Sequence, residues 1–187
     1  MNISLAYHGS PMRAWLRTVS RALFCLAIGF THPAAFAWAG LAQVDLVKVD
    51  LVKVDKSQRK MVLLSGGQPV KTYRIALGAN PQGHKQQEGD ERTPEGLYRL
   101  DYKKEDSRFY RAMHISYPNA VDKISAKARG VEPGGFIMVH GQRNWLSWLA
   151  PISQRFDWTD GCIALTNAEM DEFMALVDVG TEIQIEW

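Results

Sequence analysis

From residue 45 to the C-terminus the apolar residues fall in short β-branched or alternating runs, cut apart by glycine and proline. Only two stretches have helical spacing. That pattern confines the chain to a mostly β fold with short helices at its periphery. Asp45-Leu46-Val47-Lys48-Val49 is repeated at once as Asp50-Leu51-Val52-Lys53-Val54. A repeat of odd length reverses which side chains face the core, so one copy is expected to pair in the native register. Residues 60–64 and 70–77 flank Ser65-Gly66-Gly67-Gln68, a hairpin signature. Residues 97–101, 112–117 and 181–187 read as further strands. Residues 136–139, Phe-Ile-Met-Val, form a continuous apolar run of the kind found in a buried strand. Residues 120–129 fit a short helix with Val121, Ile124 and Ala128 on its apolar side. Thr166-Asn167-Ala168-Glu169 is a capping box, followed by Met170, Phe173, Met174 and Val177 at core-facing spacing, and Gly180 suits the stop. The expectation is seven or so strands and two short helices.

The first 39 residues differ from the rest. They carry Arg13, Arg17 and Arg21 and no acid, then the apolar run 22–30, then Ala35-Phe36-Ala37 and Ala37-Trp38-Ala39. A basic region, an apolar region of about 7–15 residues and a small-residue cleavage site make a secretory signal peptide. The run is short of the roughly 20 residues needed to span a bilayer. Residues 1–39 are therefore expected to be removed near Ala37 or Ala39, with Met12 an alternative start. Residues 40–187 would form one exported domain in the periplasm or cell wall, with no stable membrane insertion after cleavage. Lys+Arg then falls from 22 to 19 against 20 Asp+Glu, which leaves no basic excess to suggest nucleic acid.

Cys25 leaves with that segment, so Cys162 stands alone. An isolated cysteine in an exported protein forms no intrachain disulfide and is a candidate reactive thiol. His140-Gly141 precedes Thr159-Asp160-Gly161-Cys162 by 17 residues. A thiol needs a base to take its proton and donors to hold the oxyanion. His140 is the natural base. Glycine before a nucleophile permits a sharp turn, so the backbone amides of Gly161 and Cys162 are the expected oxyanion donors. A carbonyl near Gly141 is one candidate to orient the imidazole, and Asp160 is a weaker one. The long loop 78–96 brings Lys85 and Arg92, which could contact an anionic substrate. A zinc site of His84, His114, His140 and Cys162 lacks the short ligand spacings of metal motifs. The spacer between His140 and Cys162 holds Trp145, Trp148 and Trp158, either as a wall beside the cysteine or as anchors of a loop.

These residues resemble the L,D-transpeptidase (YkuD-type) catalytic domain, whose signature is His-Gly, a spacer of similar length, then Ser/Thr-His-Gly-Cys. The likeness extends over roughly residues 43–186. It takes in Gly83-His84-Lys85, Thr93-Pro94-Glu95-Gly96-x-Tyr98 and His114-Ile115-Ser116-Tyr117-Pro118. It implies a β-sandwich-like fold and an exported enzyme acting on peptidoglycan stem peptides. Cys162 would attack the carbonyl of an L-centre, release the following D-residue and hold a thioester, with His140 as proton acceptor and donor. No cofactor is implied. Lys85, Arg92, His114, Thr159 and Trp158 are the expected substrate-binding residues. Two positions depart from the signature: Asp160 stands where a histidine is usual, and Ala164 where Arg or Asn is common. Both bear on which nucleophile resolves the thioester: a diaminopimelate amine, a wall-linked lipoprotein, a free D-amino acid or water.

Other readings are weaker. A sortase needs an arginine after its cysteine, and no Arg or Lys follows Arg155. Papain-like enzymes place Cys before His. A wall-binding module without turnover, gripping stem peptides through Lys85, Arg92 and the tryptophans, is the alternative from a different class.

Overall fold

The computed structural model describes residues 48–187. The expected signal peptide therefore lies outside the described residues. Among these, no helix is long and apolar enough to cross a membrane. The elements are β1 (Leu51–Asp55), β2 (Lys60–Ser65), β3 (Gln68–Arg74), β4 (Gly96–Ser107), β5 (Tyr110–Ile115), α1 (Ala120–Arg129), β6 (Met138–His140), α2 (Ala150–Ser153), β7 (Ile163–Ala164), α3 (Asn167–Leu176) and β8 (Glu182–Glu186). The protein is mostly β, as expected, with a mixed sheet of eight strands in the order β3-β2-β1-β8-β4-β5-β6-β7.

β1 is the second copy of the tandem repeat. Val49, Val52 and Val54 are all buried, and the three-residue step from 49 to 52 is the change of parity that an odd repeat forces. β2 and β3 form the expected hairpin on Gly66 and Gly67, both at positive φ. β4 is longer than its sequence suggests. Its first residues pair with β8 and its remainder with β5, so it joins two halves of the sheet. The charge-rich stretch 101–107 hides this, because it faces solvent and shows no apolar alternation. Beyond β3, Ala76 pairs with Ala164 and Gly78 with Thr159, which brings the chain leaving one sheet edge against the other. One apolar cluster spans both halves, from Val52, Leu63 and Tyr73 to Met113, Val139 and Ile163.

α3 is capped by the Thr166–Glu169 box and buries Met170, Phe173 and Met174. It stops at Leu176 with Val177 as its cap, three residues before Gly180, which turns the chain toward β8 instead. α1 has the expected bounds but not the expected face. Val121 and Ile124 are 72% and 69% exposed, while Asp122 and Ala126 are buried. Asp122 accepts hydrogen bonds from Tyr98 Oη (3.1 Å) and the Asn119 amide (2.8 Å), and its other oxygen lies 3.1 Å from His84 Nε2. Those contacts rotate the helix at the expense of its apolar stripe. Phe136 also departs from expectation: it precedes β6, has φ 55°, and is 82% exposed.

Lys56 has no exposed side-chain surface. Its ammonium donates to Gly83 O and Thr93 O, both at 2.8 Å, and to Glu95 Oε1 at 2.9 Å. All three acceptors belong to the loop 78–96. Burial pulls the lysine below its ordinary pKa and Glu95 opposes the shift. Removing one member of such a cluster strands the others without partners. Lys56→Met is therefore expected to cost about 3–5 kcal/mol in denaturant unfolding. A loss well under 1 kcal/mol would show that the loop does not depend on this ammonium.

Candidate active site

β6 and β7 run parallel, with Val139 opposite Ile163 and His140 opposite Ala164. Side chains alternate across a strand. Ile137, Val139, Ile163 and Leu165 enter the core, all at most 2% exposed. The other face presents Met138, His140, Cys162 and Ala164. The histidine and the cysteine thus sit on one side of adjacent strands. Both line a cavity of about 290 Å³ with Phe109, Gln142, Arg143, Leu146, Trp158 and Asp160 among its walls.

His140 is 3% exposed, and its Nδ1 lies 2.7 Å from Gly141 O. A carbonyl accepts only from a protonated nitrogen, so Nδ1 carries the hydrogen and Nε2 keeps its lone pair. The ring of Phe109 lies over the imidazole at 4.5 Å between centroids, and Trp158 meets it edge-on at 5.7 Å. Burial pushes the pKa of His140 down to about 4, against the carbonyl's opposing pull. Cys162 is half-buried. Its Sγ lies 3.4 Å from the Met138 amide, which donates to it, and donates toward Phe136 O at 3.7 Å. Burial pushes the thiol up to about 11; the Met138 amide opposes the shift and the Asp160 carboxylate adds to it. The resting pair is a neutral thiol beside a neutral imidazole.

The turn before the cysteine is tight. Gly161 has φ 120°, and a Cβ there would stand 2.6 Å from Arg92 O. Its amide was the expected oxyanion donor, but it donates to Thr159 Oγ1 at 3.2 Å and is already committed. The Thr159 hydroxyl donates in turn to Cys162 O at 2.7 Å. Thr159 is buried, closes the nucleophile turn and also lines the cavity.

The other expected substrate contacts are scattered. Lys85 is 3% exposed and spent on Asp90 Oδ1 (2.8 Å) and Gln87 O (3.1 Å). Arg92 meets the site through its backbone against Gly161. His114 lies 2.7 Å from Asp101 Oδ1 and stacks on Tyr102. Trp158 lines the cavity, whereas Trp145 and Trp148 are 93% and 72% exposed and anchor nothing. The spacer is held at its end instead, by Asp157 paired with Arg59 at 2.7 Å and accepting the Leu77 amide. Sequence reasoning missed Phe109 and Arg143. Phe109 sits in the two-residue turn between β4 and β5, a position no spacing rule connects to His140.

These environments set a reactivity. Alkylation of Cys162 by iodoacetamide is expected to be slower at neutral pH than that of a free cysteine, and to climb as pH approaches about 11. A labelling midpoint at or below the ordinary cysteine value, about 8.5, would contradict the neutral-thiol description.

The family model for the YkuD L,D-transpeptidase catalytic domain matches residues 50–185. YafK of Escherichia coli (strain K12), named as a candidate L,D-transpeptidase, is 34% identical over 112 residues, 59% of this chain and 38% of that protein. The helical cell shape determining protein Pgp2 from Campylobacter jejuni superposes with a TM-score of 0.57 at 27% identity, over 74% of this chain and 47% of that one. Bd1075 of Bdellovibrio bacteriovorus shares the fold, with a TM-score of 0.52 at 22% identity, over 75% and 51% of the two chains. The chain thus spans less than half the length of YafK or Pgp2. Because the family match runs from the start of the sheet into its last strand, the chain belongs to the L,D-transpeptidase (YkuD) catalytic domain family.

Proposed function

We propose that this protein is an exported cysteine acyltransferase that acts on peptidoglycan stem peptides through a Cys162 thioester. The observation that carries the reading is that His140, its Nδ1 held by Gly141 O so that Nε2 keeps its lone pair, lines the same cavity as Cys162. The family match supports a peptidoglycan-related role. In the proposed reaction Sγ attacks the carbonyl carbon of an L-centre while its proton passes to Nε2. The C–N bond to the following D-residue breaks, and the departing nitrogen takes that proton from His140. An incoming amine, or water, then gives its proton to Nε2 and attacks the thioester; the C–S bond breaks, and the proton passes from Nε2 to Sγ to restore the thiol. Gly141 orients the imidazole throughout. Among the described residues the Cys162 amide meets no acceptor, so it is the proposed oxyanion donor. The proposed acceptors are a neighbouring stem peptide or a wall-linked lipoprotein; water makes the same site a hydrolase.

Intact-protein mass after exposure to a carbapenem tests the nucleophile. One covalent adduct is expected, absent in Cys162→Ala. An unmodified Cys162, together with unchanged mass spectra of digested sacculi, would favour a wall-binding module. His140→Ala is expected to slow acylation about 10²–10⁴-fold. Because the buried imidazole is held neutral, the acid limb of kcat/KM is expected near pH 4 rather than near the ordinary histidine value. A limb at the ordinary value would show that another group is the base.

A further inference from the structure

The cavity holds one cation and one carboxylate among its lining side chains, Arg143 and Asp160. Both are exposed, and among the described residues neither forms an ion pair. Arg59, Arg99 and Arg111, by contrast, are paired with Asp157, Glu182 and Asp171.

The backbone on both sides of Arg143 is pinned. The Gln142 amide donates to Asn167 Oδ1 at 2.8 Å, its Nε2 donates to Leu165 O at 2.8 Å, and its Oε1 accepts from Ser153 Oγ at 2.6 Å. The Asn144 amide donates to Arg108 O at 3.0 Å, its Nδ2 donates to Ser107 O at 3.0 Å, and its Oδ1 accepts from the Tyr110 amide at 3.0 Å. Asn144 thereby ties this loop to the β4–β5 turn that carries Phe109. The guanidinium between these anchors rests 5.8 Å from the centroid of the Phe109 ring, within cation–π reach. The Arg143 backbone is held on both sides, the guanidinium rests against Phe109, and its charge meets no carboxylate among the described residues. That is the arrangement of a preorganised anion contact, and the planar guanidinium suits a carboxylate.

His140 decides which part of a substrate meets that charge. The departing nitrogen must come within hydrogen-bond reach of Nε2 to take its proton, so the departing residue enters the cavity that His140 lines. A C-terminal residue carries its free α-carboxylate two bonds from that nitrogen. Asp160 disfavours an anion on the thiol side and turns the carboxylate toward Arg143. We propose that Arg143 binds the free α-carboxylate of the residue that leaves, which makes the site selective for peptide ends over internal bonds. The incoming amine occupies the same place in reverse, so an acceptor with a carboxylate beside its amine is favoured over one without.

This rests on the thioester reading, and the test separates the two. Two stem-peptide donors are compared, identical except for a C-terminal free acid or primary amide. The wild-type protein is expected to favour the free acid by about 10–100-fold in kcat/KM, the worth of one hydrogen-bonded charge. In Arg143→Gln that ratio is expected to fall toward one, chiefly through KM, with Arg143→Lys in between. Equal use of both donors by the wild type, or an unchanged ratio in Arg143→Gln of native thermal stability, overturns the role of Arg143 and leaves the thioester standing. Turnover of neither donor, with no carbapenem adduct on Cys162, overturns both.

Discussion

An ammonium with no exposed surface must find its partners inside the protein, and the position of the nucleophile follows from where Lys56 finds them. Its three acceptors fix both ends of the loop 78–96. That loop then lays the backbone of residues 91 and 92 against Gly78 and Gly161, so closely that neither glycine could carry a Cβ. The same loop anchors His84, whose Nδ1 accepts the Glu95 amide and whose Nε2 faces Asp122. Loop, helix α1 and nucleophile turn are therefore one polar assembly. A buried charge is a costly way to hold a loop, because each acceptor left unmatched carries its own desolvation penalty. The cost also makes the arrangement all-or-none, which suits a turn whose position sets the chemistry.

Burial favours the neutral form of both reactive groups. It pushes the cysteine up and the histidine down, so the site does not store a thiolate–imidazolium pair. In the proposed reaction, proton transfer then accompanies attack on a bound carbonyl. Phe109 and Trp158 supply the low-dielectric walls, and the Met138 amide gives Sγ a donor once charge develops there. Asp160 works against the thiolate, which is the reverse of what a histidine at that position would do. The departure from the family signature is thus an electrostatic one, beside the thiol itself.

Local patterns were readable where the reason for a structure is local. The glycine pair of the first hairpin, the Thr166–Glu169 cap, the core face of α3 and the parity break in the tandem repeat all rest on short-range geometry. The failures share another cause. The apolar side of α1 faces out because Asp122 has partners on β4 and on the loop, far away in sequence. Lys85 bonds to Asp90 and the Thr159 hydroxyl to the carbonyl of Cys162, partners that no motif announces. The amide of Gly161 is taken by a hydroxyl two residues before it, a choice that glycine's conformational freedom permits but does not dictate.

By itself, the sequence determined that this chain is mostly β, that one thiol and one histidine are set apart by the residues around them, and which signature they resemble. Short-range periodicity suffices for the first, since strand propensity and helix capping are decided by near neighbours, and the signature is read from the motif residues themselves. Only the tertiary structure decided that β6 and β7 lie parallel with His140 and Cys162 on one face. The imidazole's bare nitrogen, the unanswered charge of Arg143 and the place of Phe109 were likewise settled there. Each of these depends on contacts between residues that are remote in the chain, and no local pattern encodes which distant partner will claim a given donor, acceptor or charge.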